Sequence, residues 1–302
     1  MSVSNKTLKY RPEIDGLRAI SILPVIFFHA GFNWASGGFI GVDIFFLISG
    51  YLITSMIIHE AQAGNFSLAN FYERRARRIL PALFTVLLAC MIPSWMIHPD
   101  QFLVFSDSLI SVVTFSSNIF FYFRSGGYFW PPGDEYPLLH TWSLAVEEQF
   151  YVLFPAFIII AWKFTKNIRK IAIFIFFILL ISITLSEYLS GTHPKINFYL
   201  LPSRSWELLS GSILAIIKNN VQNRISDTNK SIFDFIGFIL MITAIALIDS
   251  THNSPNALTA LPLFGASTII LFSSQETFIG KLLSNKLMVK IGLISYSLYL
   301  WH

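Results

Sequence analysis

The chain has 302 residues, 54% of them hydrophobic, 16% aromatic and only 13% charged, which is too little polar surface to wrap a water-soluble core. Its net charge of +4 comes from Lys and Arg flanking apolar runs, so it points to membrane anchoring and not to nucleic acid. The single Cys90 lies in a run rich in Leu and Ala, which excludes a disulfide framework and a cysteine-based metal site.

In chain order, apolar runs of the length needed to cross ~30 Å of hydrocarbon fall at 17–33, 39–58, 79–97, 145–162, 170–189, 203–217, 232–249, 257–273 and 288–302. The expected fold is all-α: a polytopic transmembrane helix bundle of about nine spans. The first run holds Arg18 and His29 and lacks a small-residue cleavage site, so it reads as a retained helix and not a signal peptide. No polar stretch exceeds linker length and no repeat is present, which leaves a single membrane domain over 1–302. The last run starts near Met288 and offers only about fifteen residues, short for a crossing, so the sequence reads as truncated there.

Excess Lys and Arg mark cytoplasmic loops. With Lys6, Lys9 and Arg11 placed inside, the cluster Arg74, Arg75, Arg77 and Arg78, the group at 163–170, and those before the runs at 232 and 288 all fall inside as well. This holds only if the further apolar run 104–123 is re-entrant or interfacial. Of the 21 Lys and Arg, only Arg18, Arg124, Lys195 and Arg204 then lie elsewhere. Residues 124–143, with Gly126, Gly127, Pro131, Pro132 and Gly133, form an outer loop suited to covering a site.

Ionisable groups inside spans are costly and mark functional sites. Arg18 and His29 are eleven residues apart, about three helical turns, so they share one face some 16 Å apart along the axis. A guanidinium there binds phosphate or snorkels to headgroups; a neutral imidazole accepts a hydroxyl proton or is a packed, hydrogen-bonded ring. Asp43 orients an imidazole or substrate, or serves as a helix-start carboxylate. The same alternatives apply to Glu147 and Glu148, which follow His140, Trp142 and the possible cap Ser143. Glu207 follows Arg204 at i,i+3 and can simply pair with it. Four arginines without a lysine at 74–78 favour bidentate phosphate recognition, although anionic lipid headgroups satisfy them equally. The signatures of a serine-hydrolase elbow, a phosphate-binding loop and a zinc helix are missing.

Together, Arg11 to Ala19, His29, Gly38 to Tyr51, Phe71 to Pro81, Pro137 to Tyr151, Arg204 to Gly211 and Ser295 to His302 resemble the acyltransferase 3 family of membrane O-acyltransferases, particularly bacterial lipopolysaccharide and peptidoglycan O-acetyltransferases. The resemblance implies transfer of an acyl group, usually acetyl, from cytoplasmic acetyl-CoA to a hydroxyl of a surface glycan beyond the inner membrane. Acyl-CoA, membrane lipid and the acceptor glycan (O-antigen, peptidoglycan or exopolysaccharide) are the implied partners, without metal or nucleic acid. Arg18 and His29 match the family's arginine–histidine element. Arg75 and Arg78, or in the other register Arg74 and Arg77, match its second arginine motif. On this reading the arginines hold the donor and His29 is general base, with Asp43, Glu147 or Glu148 assisting. His140, Trp142, Ser143, Arg204 and Glu207 contact the acceptor, and His29 or Ser143 is a conceivable acyl carrier. Relatives of this style often carry an appended extracytoplasmic hydrolase-like domain, absent from this sequence. A non-enzymatic glycan exporter is the rival.

Overall fold

The computed structural model describes residues 10–97, 102–124, 136–249 and 254–302; Lys6, Lys9 and most of the expected outer loop, Gly126, Gly127, Pro131, Pro132 and Gly133 included, lie outside them. Among the described residues every regular element is helical. The α-helices are α1 (Pro12–His29), α2 (Gly41–Gln62), α3 (Leu68–Ile97), α4 (Phe102–Val113), α5 (Ser117–Arg124), α6 (Thr141–Thr165) and α7 (Ile168–Thr192), followed by α8 (Pro194–Tyr199), α9 (Leu201–Gln222), α10 (Asp227–Leu247), α11 (Ala260–Phe272), α12 (Phe278–Leu283), α13 (Lys286–Leu293) and α14 (Ser295–Trp301).

Local chemistry sets the ends. Pro12 opens α1, where its missing N–H costs nothing. The α6–α7 hairpin turns on Lys166 in the left-handed region (φ 45°), and the Asn167 side chain then accepts from the amides of Arg169 and Lys170. Ser226, Thr277 and Asn285 cap α10, α12 and α13 in the same way.

Among the described residues five helices are long and apolar enough to cross a membrane: those at 38–62, 68–96, 141–165, 168–192 and 227–247. Several expected boundaries change. The first run ends as helix at His29, because Gly31 turns left-handed (φ 81°). The third helix begins at Leu68, eleven residues before the expected span at 79, so Arg74–Arg78 lie within a helix and not in the loop before it. A Glu73–Arg77 pair at i,i+4 (2.7 Å) favours helix in this polar stretch. The run 104–123 is two short helices broken at Phe115 (φ 52°), neither of which reaches across hydrocarbon alone. The run 257–273 opens as a 3-10 turn, with α-helix only from Ala260. The last run is also divided, at Ile294, into α13 and α14.

Helix α2 is the hub. In its apolar window 72% is buried, against 17% for α7, so α2 is packed among helices while most of α7 faces outward. Phe46, Ile53 and Ile57 join one core cluster with α3, α6 and α9, while Ile44, Leu47, Ile48 and Tyr51 join a second with α1, α10 and α11. Against α9 the backbones nearly touch. A Cβ on Gly50 would lie 1.8 Å from the Leu208 carbonyl oxygen, and one on Gly211 would lie 1.9 Å from that of Leu47. Small residues permit such a crossing in a membrane, where dispersion replaces the hydrophobic effect between helices.

Candidate functional site

Four helix faces converge on one cleft, which a fifth helix closes. Arg18 projects from α1 and Ser49 from α2, Arg75 and Arg78 project from α3, and Ser143, Glu147, Glu148 and Tyr151 project from α6; Tyr296 and Tyr299 of α14 close it. The cleft holds about 760 Å³ of empty space, part of it open. Arg75 lays its guanidinium over the Tyr151 ring at 4.5 Å, a cation–π contact that leaves its N–H edge free. Neither Arg75 nor Arg78 has a carboxylate partner among the described residues. Arg18 keeps a loose contact with Asp15 at 3.4 Å.

The helical period separates the two arginine registers. Arg75 and Arg78, one turn apart, face the cleft; Arg74 and Arg77 do not. Arg74 forks onto both oxygens of Glu60 (2.8 and 3.1 Å), and Arg77 pairs with Glu73.

The two adjacent carboxylates differ. Both the Ser49 and Tyr151 hydroxyls donate to Glu147 Oε1, so this carboxylate is anchored. Glu148 Oε1 is buried without a hydrogen-bond partner among the described residues, which suits it to a polar ligand.

A second constellation adjoins the cleft through Tyr299. The His302 ring lies 4.9 Å from that of His29 and 5.2 Å from that of His140, centroid to centroid, and Tyr299 is 5.0 Å from His302. His29 Nδ1 lies 2.9 Å from the Val25 carbonyl oxygen. A carbonyl only accepts, so Nδ1 carries the proton and Nε2 presents a lone pair. The same argument applies to His302, whose Nδ1 contacts the Tyr299 carbonyl. Burial, followed by the neighbouring His302 and His29 rings, pushes His140 down to about 3, so it stays neutral. The Tyr299 hydroxyl donates to the His140 carbonyl at 2.7 Å, so at 2.6 Å it accepts from Ser143. Ser143 therefore gives its proton to a phenol and not to an imidazole.

Other sequence candidates lie outside the cleft. Arg204 is buried in an ion cluster with Asp43 (2.6 Å) and its i,i+3 neighbour Glu207 (2.8 Å). Trp142 and Phe198 cover that guanidinium at 5.0 and 5.3 Å. Asp43 is thus committed to Arg204 and does not orient His29. Nothing in composition or spacing singles out Tyr151, Tyr296, Tyr299, Ser49 or His302; they stand in the sequence only as members of the family-like stretches Gly38 to Tyr51, Pro137 to Tyr151 and Ser295 to His302, without a role of their own.

A family model described as an acyltransferase domain matches residues 11–302. Peptidoglycan O-acetyltransferase OatA of Listeria monocytogenes is 34% identical over 97% of this chain and 49% of its own length. The putative peptidoglycan O-acetyltransferase YrhL of Bacillus subtilis is 34% identical over 97% of this chain and 48% of its own. A putative O-acetyltransferase of Staphylococcus aureus is 33% identical, covering 98% and 51%. The chain therefore spans about half the length of the curated relatives it matches. No solved structure matches it.

Proposed function

The chain belongs to the acyltransferase 3 family over residues 11–302, and from that membership we propose that it acts as a membrane O-acyltransferase. It moves acetyl from cytoplasmic acetyl-CoA to a hydroxyl of a surface glycan on the far side of the inner membrane. Among the acceptors suggested by sequence, the names of the relatives favour peptidoglycan over lipopolysaccharide. The N-terminus lies inside, nine segments cross, and α4–α5 dips in without crossing. The observation that carries the reading is the line of polar groups from a three-arginine cleft, through Tyr299, to an imidazole cluster.

The residues fit the donor. Arg75 and Arg78 have no carboxylate within ion-pair distance among the described residues and, with Arg18, supply the charge and planar N–H edges that phosphates need. The His29 Nε2 lone pair takes the proton of the acceptor hydroxyl. As that oxygen bonds to the acyl carbon, the bond from carbon to sulfur breaks, and imidazolium returns its proton to the thiolate. Arg18 and His29 share helix α1, so one rigid element holds donor and base at fixed separation. Ser143 is a poorer acyl carrier than His29, because its hydroxyl lacks an imidazole base.

The test is transfer of labelled acetyl from acetyl-CoA to extracted surface glycan, in membranes containing the full-length protein. His29→Ala, at matched expression, is expected to lower labelling by at least about 100-fold, the scale of general-base catalysis. Equal labelling removes His29 from the reaction; no consumption of acetyl-CoA by the wild type supports the exporter.

A further inference from the structure

A second polar cavity lies near the N-terminal end of α1, away from the cleft. It encloses about 1700 Å³, open in part, between the start of α1, the C-terminal halves of α2 and α9, the start of α10 and the loop after α11. At its wall two cations meet one phenol: Arg11 Nη1 donates to the Tyr51 hydroxyl at 2.8 Å and Lys218 Nζ donates to it at 3.3 Å.

The two cations are not equivalent. Arg11 is fully engaged, with Nε on Glu13 (2.7 Å) and Nη2 on the carbonyls of Ile270 (2.9 Å) and Ser273 (3.3 Å). It clasps the last turn of α11 to α1, where exposed carbonyls welcome a cation. Lys218 has no carboxylate within bonding distance among the described residues. Of the acidic residues lining the cavity, Glu13 is held by Arg11, Asp227 by Lys230 (2.8 Å), and Glu276 makes no bond to the ammonium. A partly buried ammonium whose one hydrogen-bond acceptor among the described residues is a phenol is poorly compensated.

Tyr51 completes the geometry. Its oxygen accepts from both cations, which uses both lone pairs, so its own O–H remains to donate. Two N–H groups of Lys218 and this O–H then present donors, held in place by Arg11, while the ammonium supplies the charge that no carboxylate pairs among the described residues. Donors gathered around excess charge fit a tetrahedral oxyanion.

We propose that Lys218, Tyr51 and Arg11 form an anion site for a phosphate group, distinct from the three-arginine cleft and independent of the acyl-transfer reading. The phosphate belongs to a water-soluble phosphate ester or to a lipid headgroup, a shared chemistry that the experiment separates.

The experiment follows thermal unfolding of the full-length protein in neutral detergent, with inorganic phosphate against chloride at equal ionic strength. Phosphate is expected to raise the midpoint by about 2 °C or more through selective binding to the folded form. Lys218→Met is expected to abolish that increment while raising the midpoint in chloride, since it removes an uncompensated cation. Tyr51→Phe, which keeps the ring, is expected to weaken phosphate binding about ten-fold. Nanodiscs of phosphatidylglycerol against phosphatidylcholine then separate the sources. A stabilisation by phosphatidylglycerol that is lost in Lys218→Met assigns the site to a headgroup, and one confined to free phosphate assigns it to a soluble ester. An unchanged phosphate increment in both variants, or a wild type indifferent to phosphate and phosphatidylglycerol alike, overturns the proposal. Acetyl transfer is measured on the same samples, so loss of the anion site and loss of the enzymatic reading are separate results.

Discussion

Four neighbouring arginines on α3 carry the same charge and nearly the same sequence context, yet their surroundings divide them in pairs. Arg75 and Arg78 line the cleft without carboxylate partners, whereas Arg74 and Arg77 spend their guanidiniums on Glu60 and Glu73. Substituting Gln at 75 or 78 should therefore raise KM for acetyl-CoA about 10- to 100-fold, the loss of one or two charge-assisted hydrogen bonds. The same change at 74 or 77 should leave KM within about two-fold, since exposed ion pairs are worth little; initial-rate kinetics on the four variants decides. His140 makes a prediction in pH. Its folded value lies at about 3, far below the usual 6.5, because burial and two neighbouring rings oppose the cation. Below about pH 6.5 the unfolded chain binds a proton that the folded chain refuses, so stability is present at neutral pH and falls on acidification. The slope is about 1.4 kcal/mol per pH unit when fully developed. Chemical denaturation between pH 7.5 and 5 should reveal this fall, and His140→Gln should flatten it.

Between elements, the Asp43–Arg204–Glu207 cluster joins α2 to α9 beside the glycine crossing and under the Trp142 ring of α6. Removing the central cation strands two buried carboxylates. Arg204→Ala should thus cost about 3–5 kcal/mol and impair folding before chemistry. Replacing Asp43, Arg204 and Glu207 together by apolar residues of similar volume should restore much of that loss. Unfolding in a graded detergent series compares the single and triple variants. The contrast also explains the limits of the sequence. Arg204 and Glu207 are recognisable as a pair from i,i+3 spacing, but Asp43 lies 161 positions away, and no local pattern reveals that contact. Helix ends differ from the apolar runs for a related reason. Hydropathy detects where lipid-compatible residues start, whereas the α3 helix starts at Leu68 and continues through the charged residues. A break such as that at Phe115 is stabilised by a distant partner, since the Gln149 amide of α6 donates to the Phe115 carbonyl at 3.0 Å. Irregular backbone within a membrane protein needs such support.

At the scale of the whole molecule, the all-helical class and the membrane setting were legible from composition and run length alone, because hydrocarbon leaves so few ways to satisfy a backbone. Intramembrane charge pointed to Arg18, Glu147 and Glu148, and the arginine run left two registers open; that Arg75, Arg78 and Ser143 line one cleft with them is visible only in the structure. The tyrosines and His302 carry no legible role in the sequence, because apolar bodies with polar tips look ordinary in an aromatic-rich chain. One of those tyrosines has a wider effect. A polar cleft and an imidazole cluster placed side by side in an apolar helix bundle invite a continuous hydrogen-bonded chain along which protons can hop. Here the path from Ser143 passes to the Tyr299 oxygen, and the Tyr299 proton is directed at the His140 carbonyl. A main-chain carbonyl accepts a hydrogen bond but passes no proton onward. The hydrogen-bonded connection through Tyr299 therefore stops at that carbonyl, so the two polar regions adjoin without a continuous proton path along it.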